Sequence, residues 1–308
     1  MAAPAEAAPI KPHSTADGAR FVDTRQVRRN FSRVAPRYDE VAFLSREVDR
    51  RMLERLDYVR IEPQRVLDLG CATGASLTAL RERYRDAHLI GADFAEPMLH
   101  AGRGEKNFLS RLMPFLKPGK NAFAAADTEA LPFRAASFGL VWSNLLLHWL
   151  EEPRPTLRET LRVLETGGLF MFSTFGPDTL RELARAFGDG FAHTQRFTDM
   201  HDLGDMLVEC GFSEPVMDME VLTLTYASFD DLVAELHAAG DACAMHGRRK
   251  SLLGRGVWER ARAAYAALSQ DGRLPATFEV VYGHAWKGEP KKTADGRAIV
   301  RFDRHPKP

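Results

Sequence analysis

Cysteine is scarce in this chain. Cys71, Cys210 and Cys243 lie far apart and form no Cys-x-x-Cys pair. That counts against a zinc site or a disulfide framework and fits a reducing compartment. No apolar run approaches the roughly 18 residues of a membrane-spanning helix. Residues 1–20 are rich in Ala and Pro but lack an apolar signal core. They carry Glu6 and Asp17 and few arginines, which counts against a transit peptide. A charge excess is missing as well: 42 basic residues balance 42 acidic ones. Wholesale nucleic-acid binding is therefore not expected, although a local basic patch is still allowed. The expectation is a cytoplasmic protein with no metal, no nucleic acid and no membrane as partner.

Residues 1–23 read as a disordered tail, 24–287 as one domain and 288–308 as a polar tail. Helical spacing of Phe31, Val34, Tyr38, Val41 and Phe43 runs around a break at Pro36. Short apolar runs at 65–70, 88–93, 122–127, 138–144 and 169–174 read as buried strands. Helical patterns at 75–85 and 155–164 separate some of them, the second expected to stop at Gly167 and Gly168. Alternating strands and helices predict a doubly wound, Rossmann-like α/β fold with a mostly parallel sheet. A mobile-looking Gly/Asp segment is expected at 176–190, then a helix at 199–210. Two more strands follow at 216–226 and 277–286. A helical, Arg-rich lid insertion, about 228–273, separates them, and insertions of that length usually carry function.

The informative stretch is Val66-Leu-Asp-Leu-Gly-Cys-Ala-Thr-Gly74. A strand enters a tight glycine turn that opens a helix, and Gly70 and Gly74 let backbone approach a ligand closely. A dinucleotide site would want G-x-G-x-x-G to cradle a pyrophosphate, and Ala72 interrupts that pattern. Asp68 would repel a pyrophosphate and suits a cationic amino-acid ligand. Asp93, ending the second strand, is placed for a ribose diol, and Asp127, after the third, for an adenine amino group. Phe94, Thr128 and Asn144 complete the expected cofactor set.

With these residues the chain resembles the class I S-adenosylmethionine-dependent methyltransferases over about residues 30–287. More narrowly it resembles the family of malonyl-acyl-carrier-protein O-methyltransferases that open biotin synthesis. The carrying segments are Phe31-Ser-Arg-Val-Ala-Pro-Arg-Tyr-Asp39, the turn at Gly70, Leu131-Pro-Phe133, Trp142-Ser-Asn-Leu-Leu-Leu-His-Trp149, Arg196-Phe197 and Leu274-Pro275. Two departures stand out: Ala72 replaces a usual glycine, and residues 102–121 make a longer connection than usual. The resemblance implies S-adenosylmethionine as cofactor and malonyl-acyl-carrier protein as partner. It also extends to an arginine-hydroxylating respiratory assembly factor, so that reading stays open. A small-molecule methyltransferase and a non-catalytic binding module stay open too.

A carboxylate is already ionised at pH 7, so esterifying it needs no general base. What it needs is positioning and exclusion of water. Arg196 is the candidate fork for the carboxylate, Tyr38 the candidate to close over the methyl group, and His148 a candidate pocket wall. Carrier proteins are acidic. The cluster Arg248, Arg249, Lys250 and Arg255, with Arg260 and Arg262 beyond, is therefore the candidate docking patch.

Overall fold

The computed structural model describes residues 21–103 and 122–289. The expected tails before residue 21 and after residue 289 lie outside them, as does most of the long connection expected at 102–121. Residues 21–23 belong to the fold, not to a tail. The Phe21 and Val22 amides donate to the Glu151 carboxylate, Val22 bridges to Met245, and Asp23 caps the first helix through the Gln26 amide.

The strands are β1 (Arg65–Leu69), β2 (His88–Asp93), β3 (Ala122–Ala125), β4 (Phe138–Ser143), β5 (Leu164–Phe175), β6 (Ser213–Tyr226) and β7 (Leu274–Trp286). Among the described residues they form one sheet in the order β3-β2-β1-β4-β5-β7-β6. The first five pair in parallel, and β7 runs antiparallel between β5 and β6. Side chains alternate across the sheet. Val66, Leu140, Leu169 and Met171 face one helical layer, while Leu67, Val141, Phe170 and Phe172 face the other. Burial on both faces is why β1, β4 and β5 read as unbroken apolar runs.

The first layer holds α3 (Phe43–Arg55), α4 (Ala75–Arg83), α9 (Phe229–Ala239) and α10 (Arg255–Ala266). The second holds α6 (Pro153–Val163) and α8 (Met200–Cys210). The short α5 (Glu96–Gly102) follows β2, and α1 (Thr24–Val34) and α2 (Tyr38–Val41) lie at the N-terminal end. Among the described residues, no helix is long and apolar enough to cross a membrane.

Two expectations need correction. Gly167 and Gly168 do not cap α6. The chain leaves the helix at Val163 and is extended from Leu164 onward, with the Gly167 amide bonded to the Lys287 carbonyl at 2.8 Å. The segment 176–190 contains a short helix, α7 (Arg181–Phe187). It is fastened by Glu182, which accepts from the amide and hydroxyl of Thr277 on β7. Its flanking glycines hid it, because tertiary bonds rather than local propensity hold it.

Candidate active site

The strand order reverses between β1 and β4, where the carboxyl ends of parallel strands leave a crevice. Gly70 and Gly74 line this point with φ of +76° and +83°. A Cβ on Gly74 would lie 2.8 Å from the Phe123 ring, so only glycine fits this turn. Ala72, between them, also has positive φ, +47°. That left-handed conformation costs a non-glycine residue about 1 kcal/mol. Asp93 braces it: one carboxylate oxygen accepts from the Ala72 amide at 2.9 Å, the other from the Ala95 amide at 2.8 Å. Burial raises the Asp93 pKa despite these donors.

Asp68 is 1 % exposed, and its Oδ2 has no hydrogen-bond partner among the described residues. Burial, and the neighbouring Asp49 and Asp93, push its pKa well above the usual carboxylate range. A buried acceptor without a donor is costly unless something arrives to satisfy it. Asp68 lines a recess shared with Tyr38, Ser45, Arg46, Gly70 and Asn144. Asp49 differs in being satisfied, accepting from the Trp142 indole and the Ser76 hydroxyl, each at 2.9 Å.

The N-terminal helices close over this turn. Thr73 Oγ1 donates to Asp39 at 2.6 Å, and Asn144 donates to the Ser45 carbonyl at 2.9 Å while accepting from Ser173 Oγ. A cleft runs from the turn outward. It brings together Tyr38, Gly70, Asp93, Phe94, Thr128, Asn144 and His148. Gly74 sits behind the turn and Asp68 in the adjoining recess. Thr128 Oγ1 shares a 2.8 Å hydrogen bond with Thr156. His148 packs beside Trp149 and Phe175, and burial lowers its pKa to about 3. It is a neutral wall at physiological pH, with Nδ1 3.3 Å from Thr174 Oγ1. Burial pushes the Tyr38 phenol up, so it stays a protonated donor.

Other candidates lie elsewhere. Asp127 is exposed and turned onto the Glu129 amide, outside the cleft lining. The neighbouring Thr128 takes its place in the wall. Arg196 is also exposed, its guanidinium 4.7 Å over the Phe21 ring. This stacking turns the expected fork away from the cleft, and among the described residues no Lys or Arg lines it. Arg248 and Arg249 are not free for docking either. Arg248 pairs with Asp23 and reaches Gln26, while Arg249 pairs with Asp189 and covers Phe191. Lys250 and Arg255 remain exposed.

The sequence reading missed Tyr226, Glu235 and Asp241, which line the outer cleft. Tyr226 donates to Glu235 at 2.9 Å. Asp241 follows the Gly240 turn that ends α9, and its side chain lines the cleft. Burial, then Glu235, push its pKa up to about 7. Nothing in the local sequence marks it, because its isolation comes from packing.

A glycine turn, buried acids beside it and a cleft at the switch point of this sheet define an S-adenosylmethionine-dependent methyltransferase, and residues 67–172 match the methyltransferase domain family. The fold is similar to that of the YcgJ protein from Bacillus subtilis, with a TM-score of 0.54, 15% identity, and coverage of 78% of this chain and 98% of that one. The malonyl-[acyl-carrier protein] O-methyltransferase of Nitrosospira multiformis is 47% identical over 88% of this chain and 91% of its own length. That of Gallionella capsiferriformans is 46% identical over 91% and 96%. The chain belongs to the malonyl-[acyl-carrier protein] O-methyltransferase family.

The residues fit S-adenosylmethionine, the methyl donor of this class. Asp68 offers an unsatisfied carboxylate to a cationic amino group, and the turn at Gly70 leaves room that a Cβ would take from Leu146, 3.0 Å away.

Proposed function

We propose that this protein esterifies the free carboxylate of a malonyl thioester carried on acyl-carrier protein, in biotin precursor synthesis. The near-full-length identity to relatives of that name carries the reading. They do not favour the arginine-hydroxylase alternative. S-adenosylmethionine supplies a methyl group on a positively charged sulfur. A substrate carboxylate oxygen held in line would bond to that methyl carbon as the sulfur–methyl bond breaks, the electron pair staying on sulfur. No proton moves, which agrees with a cleft whose histidine is held neutral.

The chain's own task is to hold the acceptor in line and keep water out. Asp68 and Arg46 serve the cofactor's amino-acid end, and Asp93 and Thr128 its nucleoside end. With Arg196 turned outward, neutral donors are left to orient the carboxylate: the Tyr38 phenol and protonated Asp241. Labelled methyl transfer from S-adenosylmethionine is expected to malonyl-carrier protein and not to acetyl-carrier protein. Label on both, or on neither, would overturn the substrate assignment.

Asp241 gives this reading a pH signature. Below pH 7 its carboxyl is neutral and donates to a carboxylate; above pH 7 it is charged and repels one. The KM for malonyl substrate is expected to rise about tenfold between pH 6 and pH 8. In Asp241→Asn the profile flattens, while the KM for S-adenosylmethionine keeps its wild-type pH dependence. An unchanged slope in the variant removes Asp241 from the acceptor site.

A further inference from the structure

The outer face of α1 carries a cluster of charge that no described acid neutralises. The helix reads Thr-Arg-Gln-Val-Arg-Arg-Asn-Phe-Ser-Arg-Val and contains no acidic residue. Arg25, Arg28, Arg29 and Arg33 are all exposed. At 100° per residue they fall within an arc of about 140°. Among the described residues none of the four takes part in an ion pair, whereas several arginines on other helices do. Arg50 and Arg51 meet Glu47, Arg154 meets Glu152 and Glu209, and Arg262 meets Asp230. In a chain of zero net charge, this leaves a local cationic stripe.

The opposite face of the same helix faces inward. Val27 and Asn30 are each 1 % exposed, and Asn30 is tied to the Ala242 carbonyl at 2.9 Å. Val27 and Phe31 line the cleft. One helix thus joins the cleft wall to the stripe, about 10 Å across it.

We infer that the arginine face of α1 is the docking surface for the acidic carrier protein that delivers the thioester. This rests on the acceptor assigned above. The surface needs a partner that is acidic and tethers its substrate on a flexible arm, because the reacting carboxylate must pass beside α1 into the cleft while the partner stays outside. Complementary charge raises encounter rates and fixes orientation, and salt weakens both. The loop at Lys250 and Arg255 is the competing surface.

The test uses the full chain with two acceptors, malonyl-carrier protein and a short malonyl thioester without protein. The variants are Arg25→Glu with Arg29→Glu, Arg28→Gln with Arg33→Gln, and Lys250→Glu with Arg255→Glu. In the first, the KM for malonyl-carrier protein is expected to rise tenfold or more and to lose most of its salt dependence. Its KM for the short thioester stays within twofold, and so does its melting temperature within a few degrees. The glutamine pair gives a smaller shift in the same direction. Binding of unacylated carrier protein, measured without turnover, falls in parallel. Equal KM changes on both acceptors, or a change confined to the Lys250 and Arg255 pair, would overturn the α1 surface. If the wild-type protein methylates the short thioester but neither acylated carrier nor bare carrier binds, the surface fails while carboxyl methylation stands. If it methylates neither acceptor, the acceptor reading itself fails.

Discussion

Asp68→Asn is expected to weaken S-adenosylmethionine binding ten- to a hundredfold and yet leave the folded protein more stable. Charged hydrogen bonds are worth about 1.5–3 kcal/mol, which sets the loss of affinity. The gain in stability, about 1 kcal/mol, comes from removing a buried carboxyl whose Oδ2 has no donor and which sits beside Asp49 and Asp93. The sign with pH follows. The folded pKa of Asp68 is raised, so the native state holds this proton more tightly than the unfolded chain does. Its contribution to stability is fully present at low pH and is lost as pH rises from the unfolded value near 4 through the raised one. The asparagine variant lacks that loss. Binding a cation at Asp68 favours its charged form, so calorimetry in buffers of different ionisation enthalpy reads any proton release linked to binding, expected to be smaller in the variant. A variant that binds S-adenosylmethionine as tightly as wild type would mean that Asp68 does not face the cofactor.

The second large effect is Gly102→Ala. On an exposed helix this change is favourable, because alanine restricts the unfolded chain and propagates a helix better. At Gly102 a Cβ would lie 1.9 Å from the Thr73 carbonyl oxygen, inside the turn that shapes the cofactor crevice. Either α5 or the turn must move. The expected cost is about 1–3 kcal/mol in a thermal or urea melt, with S-adenosylmethionine affinity reduced tenfold or more. Gly204, inside α8, is the comparison. The nearest atom to a Cβ there is Met217 Cγ at 3.9 Å, so Gly204→Ala should stabilise by about 0.5–1 kcal/mol and leave binding unchanged. Two identical substitutions of opposite sign separate close packing against the turn from helix propensity. Equal effects at both sites would refute the packing argument.

The strands and the crevice were legible in the sequence because each rests on local chemistry. Buried parallel strands must be apolar, and a tight turn must carry glycine. The acid at position 68 stands out because it sits inside an otherwise apolar run. What stayed hidden depended on distant partners. Arg248 looked free until Asp23, 225 residues away in sequence, was seen to hold it. Arg249 was claimed by Asp189 and Arg196 by Phe21. No sequence window holds such pairs. The arginine stripe on α1 is a different case. Its spacing was readable as one helix face, but attention to the apolar positions of that helix passed over it. Asp241 carries no local mark at all.

The antiparallel hairpin β6–β7 runs 11 paired positions beyond its irregular start, and α9 and α10 hang from its far end. The crevice at Gly70 is built by β1, β2 and β4, which make no ladder pairing with that hairpin. The sheet scaffold of the glycine turn and the insertion over the outer cleft are therefore separate in the ladder and meet only in the cleft. Exchanging residues 227–273 between relatives would replace Glu235 and Asp241 at the outer cleft and leave Asp68, Gly70 and Asp93 in place.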